Sequence, residues 1–425
     1  MSTQTPEPDP TAAAELPRGD DGHAPVPPGD AGTAPPHGAA PAAASAAVRA
    51  ILDDPAPIEA RILDRLRAWV EHETPSGDAS ACAALAADIG DVLAAAGASI
   101  EWVDAPGRGR HLVARVPGRE AALEPVVVLG HLDTVHPRGT LAERPFRVVG
   151  GRAEGPGTYD MKAGLALVAE ALLLFHETGT APRRPVTVLV TCDEEIGSGT
   201  SRALIEATAR GAAAVLVPEP PLPGGAAKTG RKGVAGYRIL THGRASHAGL
   251  EPEKGVNAIL ELAHQTIRAM ALAEPDRGTT ISVGRTGGGT ATNVVPAEAW
   301  AELDVRFTTV AEQRRVDDAL RALTPVLPGA RVTVEGGENR PPLEQTAGVL
   351  RLYRHARALA AELGFELGEG VAGGASDGNF TGALGVPTLD GLGPMGGGAH
   401  SVDEHVVVAD LTRRAALYAR LLETL

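Results

Sequence analysis

Cysteine is nearly absent from this chain: Cys82 and Cys192 stand far apart and form no C-x-x-C pair. That argues against a disulfide framework and predicts a reducing compartment, the cytoplasm. Cys192 closes an apolar run, where a small packed side chain is expected rather than a nucleophile. Long apolar runs are missing too. The best of them, 163–175, is interrupted by Glu170 and reads as a buried helix, so no membrane span is predicted. Basic runs are also lacking and the net charge is -14, which argues against nucleic acid as a partner. Three enzyme signatures fail as well. No G-x-S-x-G elbow supports a serine hydrolase. Gly155-Pro-Gly157-Thr-Tyr-Asp160 starts like a dinucleotide loop but puts an acid where the third glycine would meet pyrophosphate. Ala227-Lys228-Thr229 echoes a phosphate-binding loop without its glycines.

What is present suffices for two domains: 425 residues with 43% hydrophobic side chains. Residues 1–48 are rich in Pro, Ala and Gly and hold few large apolar side chains. Such a segment cannot bury enough surface to offset its ordering entropy, so a disordered tail is expected. It lacks the basic start and apolar core of a secretion signal. Ile58, Ile62, Leu66, Trp69 and Val70 mark one face of a helix, and a second helix is predicted over 80–96. Strands over 110–116, 125–130, 186–192 and 214–218 alternate with helices over 163–178 and 200–210. That is the order of a helix-flanked, mainly parallel α/β sheet.

From Gly233 the pattern becomes strand 235–241, helix 256–272, strands 279–285 and 299–307, helix 311–323 and strand 331–335. This is a ferredoxin-like βαββαβ unit. Helices over 348–363 and 409–422 follow, with His400 between them among Gly-rich loops. His400 is of the same type as the residues that end the first strands. The second unit is therefore read as an insertion: 49–230 and 339–425 build one domain and 231–338 the other.

Three apolar runs end in acids or imidazole. PVVVLG leads into His131-Leu-Asp133, VTVLVTC into Asp193-Glu194-Glu195, and AVLVP into Glu219. Ligands of open α/β sheets gather at the carboxyl ends of strands, and solvated turns have no reason to collect acids there repeatedly. Carboxylate oxygen and neutral imidazole are the donors that zinc, cobalt or manganese take up, with one position left for water. Asp160, just ahead of the helix beginning at Ala163, has two oxygens able to bridge two ions about 3.5–4 Å apart. His131 with Glu195, and Glu219 with His400, then complete one ion each. Asp133 lies close enough to His131 to fix its ring tautomer, and Glu194 is left over as a base.

The segments GHLDTV, PFRVVGGRAEGPGTYDMKAG, CDEEIGS, VPEP, GRASHAG, NVVPAEAWAELDVR and HSVDEHV, in that order, resemble one family. These are the dinuclear zinc peptidases and deacylases that include glutamate carboxypeptidase, acetylornithine deacetylase and succinyl-diaminopimelate desuccinylase. The resemblance spans 57–425 and is nearest to the glutamate carboxypeptidases. It implies a zinc-exopeptidase sheet with an inserted lid and dimerisation unit. It also implies two Zn2+ per subunit on His131, Asp160, Glu195, Glu219 and His400, with Asp160 bridging and a cis peptide after it. Asp133 then stands behind His131 and Glu194 is the general base. A homodimer is implied, in which His247 reaches into the partner's site to stabilise the oxyanion. By the same resemblance Asn293, Arg306 and Arg340 match positions that face the ligand pocket and its substrate carboxylate, and Gly373 and Gly374 let the backbone approach the ligand closely. Lys228 lines up only loosely with a lysine of the glutamate carboxypeptidase pocket.

The expectation is a cytoplasmic dizinc hydrolase that cleaves an amide bond beside a free α-carboxylate, acting on a small peptide. An N-acyl-amino-acid deacylase of the acetylornithine type is the alternative, because the residues do not fix what lies beyond the scissile bond. A non-catalytic binder of small acids is the distant alternative, and a binder has no need of Glu194.

Overall fold

Val126–His131 and Val186–Thr191 are buried at every position, so both faces of these strands are covered and their sequences run apolar without alternation. They pair in parallel from Val126↔Val186 to His131↔Thr191. Ala214–Leu216 adds in parallel to Val126–His131, and Thr388–Leu389 adds in parallel to Ala214–Leu216. The other side of this six-stranded sheet is antiparallel: Gly109–Val116 pairs with Val186–Thr191, and Ser99–Ala105 closes the edge. The computed structural model describes residues 44–425.

Helices cover the sheet. Ala163–Glu177 is buried almost all round, beneath Pro55–Glu71 and the last helix, Val408–Thr424. Glu170, the charge that breaks its apolar run, is paired with Arg61 (3.0 Å) and Arg65 (2.8 Å) from Pro55–Glu71. Among the described residues no helix is long and apolar enough to cross a membrane.

The expected tail falls mostly on residues 1–43, outside the described residues. Its end differs from expectation. The helix Ala46–Asp53 begins within it, capped by Ser45 Oγ accepting from Val48 N (3.4 Å) and burying Ala47, Val48, Ile51 and Leu52. Those four positions share one helical face, which the surrounding alanines and prolines masked.

Residues 233–340 form a second, four-stranded sheet in the order Thr280–Gly288, Glu298–Phe307, Gly233–His242, Arg331–Arg340, antiparallel throughout. Burial alternates along Gly233–His242 and Glu298–Phe307, because only one face meets the helices Ala258–Met270 and Val310–Arg321. Ala235, Tyr237, Ile239, Val305 and Phe307 belong to a cluster of this unit's own. The order is the expected βαββαβ.

Two small sheets then bring distant segments to the sheet edge. Ala227–Arg231 pairs in parallel with Glu369–Ala372. His405–Val407 lies between Gly396–Gly397 and Arg152–Glu154, which pairs in turn with Arg147–Val149. The second of these holds the loops of Asp160 and His400 side by side.

Candidate metal centre and active site

His131 is the last residue of its strand. Glu194 and Glu195 open a single turn after Val186–Thr191, and Glu219 follows Ala214–Leu216 by three residues. Asp160 arrives on the segment Thr158–Lys162 that leads into Ala163–Glu177, and His400 on the loop before His405–Val407. All five expected ligands converge. His131 Nε2 lies 3.1 Å from Asp160 Oδ1 and 3.4 Å from Glu219 Oε1. His400 Nε2 lies 3.3 Å from Asp160 Oδ2 and 3.2 Å from Glu195 Oε2. The two Asp160 oxygens thus face the two imidazoles, one each.

The expected pairing of the other acids is reversed: Glu219 stands with His131 and Glu195 with His400. The physical reason is that Glu219 is drawn back by Arg231, whose guanidinium bonds its other oxygen at 3.0 Å, while the His400 loop folds over Glu195. The centre remains one compact cluster, since ligand atoms of His131, Asp160 and Glu195 all lie within 4.8 Å of one another. The Asp160–Met161 peptide is cis, as expected.

Asp133 acts through two kinds of contact. Its main-chain oxygen takes the hydrogen of His131 Nδ1 at 3.0 Å, which fixes the ring with Nε2 facing the acids. Its carboxylate accepts from Glu194 N (3.2 Å), Glu195 N (3.3 Å) and Ser76 Oγ (2.6 Å), so it also fastens the Glu194-Glu195 turn.

The electrostatics are those of a crowded acid cluster. Burial alone would hold His131 in its neutral form, yet hydrogen bonds to Asp133, Asp160 and Glu219 carry its pKa well above the ordinary imidazole range. His400 is pushed up to about 10 by its bonds to Asp160 and Glu195. Burial raises the Asp160 carboxyl, but the two imidazoles outweigh it and hold it below the usual range. Burial pushes Glu194 well up, against the opposing pull of Arg340 and His131. The Glu195 carboxyl is raised by burial as well, and its Oε1 is buried without a partner.

Around the cluster lies a cleft of about 360 Å³, with Asp160, Glu194, Glu195, Glu219 and His400 on its acidic side. Lys228, Arg231, Arg306 and Arg340 line it as well. Arg340 is buried, and its NH2 reaches Glu194 Oε1 (3.0 Å), Asp377 Oδ1 (3.2 Å) and Ser198 Oγ (2.7 Å). Its Nε is buried without a partner. Arg306 borders the cleft but is turned onto Asp304 at 2.7 Å. Gly374 lines the cleft, and a Cβ at Gly373 or Gly374 would meet no atom within 4 Å, so the protein leaves this wall open. His247 and Asn293 are exposed and do not border the cleft of their own chain. They lie together, with Ala248 N bonded to Asn293 O (3.0 Å), and His247 Nδ1 accepts from Gly249 N and Leu250 N.

Sequence reasoning did not weigh Arg231, Asp377 or Glu404, and it matched Lys228 only loosely. Lys228 and Arg231 are two cations within a strand, Ala227–Arg231, that is buried at every position, and that combination was the available signal. Arg231 is fully engaged by Asp390, Glu219 and the carbonyls of Gly374 and Ala375. Lys228 is only 8% exposed and makes no ion pair among the described residues.

An acid cluster thus stands at the strand ends of a mainly parallel sheet, in a chain that also carries a βαββαβ unit. The sequence pattern of Peptidase family M20/M25/M40 matches residues 127–424, and the chain belongs to that family. It is 34% identical over 371 residues to carboxypeptidase G2 of Pseudomonas sp. (strain RS-16), covering 85% of this chain and 88% of that one. It is 32% identical over 344 residues to a succinyl-diaminopimelate desuccinylase of Verminephrobacter eiseniae, covering 74% and 82%. In fold it is similar to the aminopeptidase PepT of Bacillus cereus, with TM-score 0.73 at 23% identity over 86% of this chain and 98% of that one.

Proposed function

We propose that the chain is a two-metal exopeptidase that cleaves an amide bond next to a free carboxylate. The observation that carries this is the position of Asp160, one oxygen toward His131 and Glu219 and the other toward His400 and Glu195. The residues fit a pair of divalent ions. Two imidazoles driven toward their charged forms and an orphaned Glu195 oxygen mark a place where positive charge is required. His131, Asp160 and Glu219 would hold one ion, and His400, Asp160 and Glu195 the other. The mixed nitrogen and oxygen donors suit Zn2+, with Co2+ or Mn2+ as substitutes.

When bound, such ions acidify water toward neutral pH and polarise the amide carbonyl. The chain's residues do the rest. Arg340 occupies Glu194 Oε1, which leaves Oε2 to take the proton of the attacking water and return it to the departing amine. Asp133 holds that turn in place through Glu194 N and Glu195 N. Lys228, the bordering cation without an ion pair, is left to receive a substrate carboxylate, assisted by Arg306 and the open wall at Gly373 and Gly374. An acyl group carrying its own acid would fit the same cation, which keeps an N-acyl-amino-acid deacylase as the second reading.

We read 231–338 as the inserted lid through which two subunits pair, and the chain as cytoplasmic. Supporting the first are Ile259, Leu260, Ile267 and Met270, apolar and exposed on the helix Ala258–Met270, and the exposed His247 and Asn293 on the same unit. Both cysteines are buried and unpaired, in keeping with the second. The test is Glu194→Gln with a panel of glutamyl conjugates, dipeptides and N-acetyl amino acids. Turnover should fall by about 100-fold or more with metal content unchanged. Retained turnover would remove Glu194 from the mechanism, and no hydrolysis of any panel member by the metal-loaded parent would defeat both readings.

A further inference from the structure

Glu404 is four residues beyond His400, 2% exposed, and both of its oxygens are filled by donors. Oε2 accepts from Gly157 N at 2.8 Å and from His136 Nε2 at 2.6 Å. Oε1 accepts from Tyr159 N at 2.9 Å and from Asp160 N at 3.0 Å. A carboxylate offers about four lone-pair directions, and here three belong to the main chain of the loop that ends in Asp160. Successive main-chain N–H groups turned inward make a concave anion seat. In this protein the anion is a side chain of the His400 loop.

The seat is held from behind. Arg144 NH2 donates to His136 Nδ1 (3.2 Å), which makes Nε2 the protonated nitrogen and the donor to Glu404. Arg144 NH1 meanwhile donates to Ser401 O (2.9 Å), next to His400. Gly157 makes the wrap possible: its φ is +72°, and a Cβ there would meet Thr134 Cγ2 at 2.6 Å.

We infer that Glu404 is a positioning residue: it presets Asp160 for both ions and locks the Asp160 and His400 loops into one unit, with His136 and Arg144 as its support. The inference rests on the metal reading of the site. Without the carboxylate, three buried N–H groups lose their acceptor, the loop must move to find others, and the Asp160 oxygens leave their places between the imidazoles. Since Asp160 serves both ions, both should bind more weakly.

The test uses the full-length, metal-free protein titrated with Zn2+ against a chelator of known affinity. Glu404→Gln keeps the shape but turns an amide donor toward Gly157 N or His136; Glu404→Ala removes the seat. Affinity for both ions should fall by about 10- to 100-fold, as for other groups that orient metal ligands. At saturating Zn2+, kcat should drop while KM stays within about threefold, because the substrate wall is untouched. A role in stability alone would lower the melting temperature of the metal-free protein and leave both Zn2+ affinities and kcat unmoved. Zn2+ affinities within about twofold of the parent in both variants would overturn the inference. If neither variant folds, Arg144→Gln at the half-buried end of the relay decides: a loss of severalfold in affinity supports the role and parental affinity overturns it. A parent that takes up no divalent ion would instead defeat the metal reading itself.

Discussion

Arg340→Met separates two uses of one guanidinium. As a grip on the substrate, its loss would raise KM and leave the pH profile alone. As found, it stands 3.0 Å from Glu194 Oε1 and 3.2 Å from Asp377 Oδ1, all three groups buried. At that separation an effective dielectric near 20 gives an attraction of about 5 kcal/mol, and one pKa unit corresponds to about 1.4 kcal/mol. Removing the cation should raise the Glu194 pKa further, because Arg340 is the main pull against burial. A base with a higher pKa is protonated over a wider acid range. The acid limb of kcat against pH should therefore move upward, with turnover at pH 7 down on the order of 100-fold, the usual weight of a general base, and partly recovered at higher pH. Leaving two buried carboxylates without a counter-charge should also cost about 3–5 kcal/mol of stability, so melting temperature and metal content are measured beside the rates. An acid limb within about half a unit of the parent, with KM raised tenfold or more, would refute the base-holding role.

Lys228→Met should raise KM roughly 10- to 100-fold for substrates bearing the recognised carboxylate and leave substrates without it nearly unchanged, the range of one charge-assisted hydrogen bond; equal effects on both would remove Lys228 from recognition. Mixing His247→Ala with Glu194→Ala protein should restore part of the activity if subunits share their sites, and a verified heterodimer without activity would return His247 to its own subunit. Because His400 is held near 10 and His131 well above its usual range, both rings carry protons at pH 7 that arriving ions must displace. Calorimetry of Zn2+ binding in buffers of different ionisation heat should count about one to two protons released, with affinity rising as pH increases from about 6 to 8; proton-neutral uptake would contradict the assignment of the ligands.

The parallel strands were legible because Val126–His131 and Val186–Thr191 are covered on both faces and so read as unbroken apolar runs. Ser99–Ala105 was not. It is an edge strand with Ser99, Glu101, Trp102 and Asp104 exposed, so neither a run nor a clean alternation marks it. The proposed ligands could be read as types at strand ends, but their pairing depends on how the Asp160 and His400 loops approach, and loops carry no periodicity. Glu404 escaped for the same reason: its meaning lies in three amides some two hundred and fifty residues earlier in the chain. The short strands Arg147–Val149 and Arg152–Glu154 that hold those loops are too brief and too exposed to announce themselves.

The wide spacing of the ligands has a consequence for biosynthesis. His131, Asp160, Glu195 and Glu219 leave the ribosome before the whole of the second sheet is made, and His400 only after it. A nascent chain could offer three donors to one ion early, but the proposed pair of ions would have no home until the C-terminal loop docks. On the proposed two-ion reading, loading with the full complement is thus an event of the finished polypeptide, and chains released early should hold at most the ion that His131, Asp160 and Glu219 would bind.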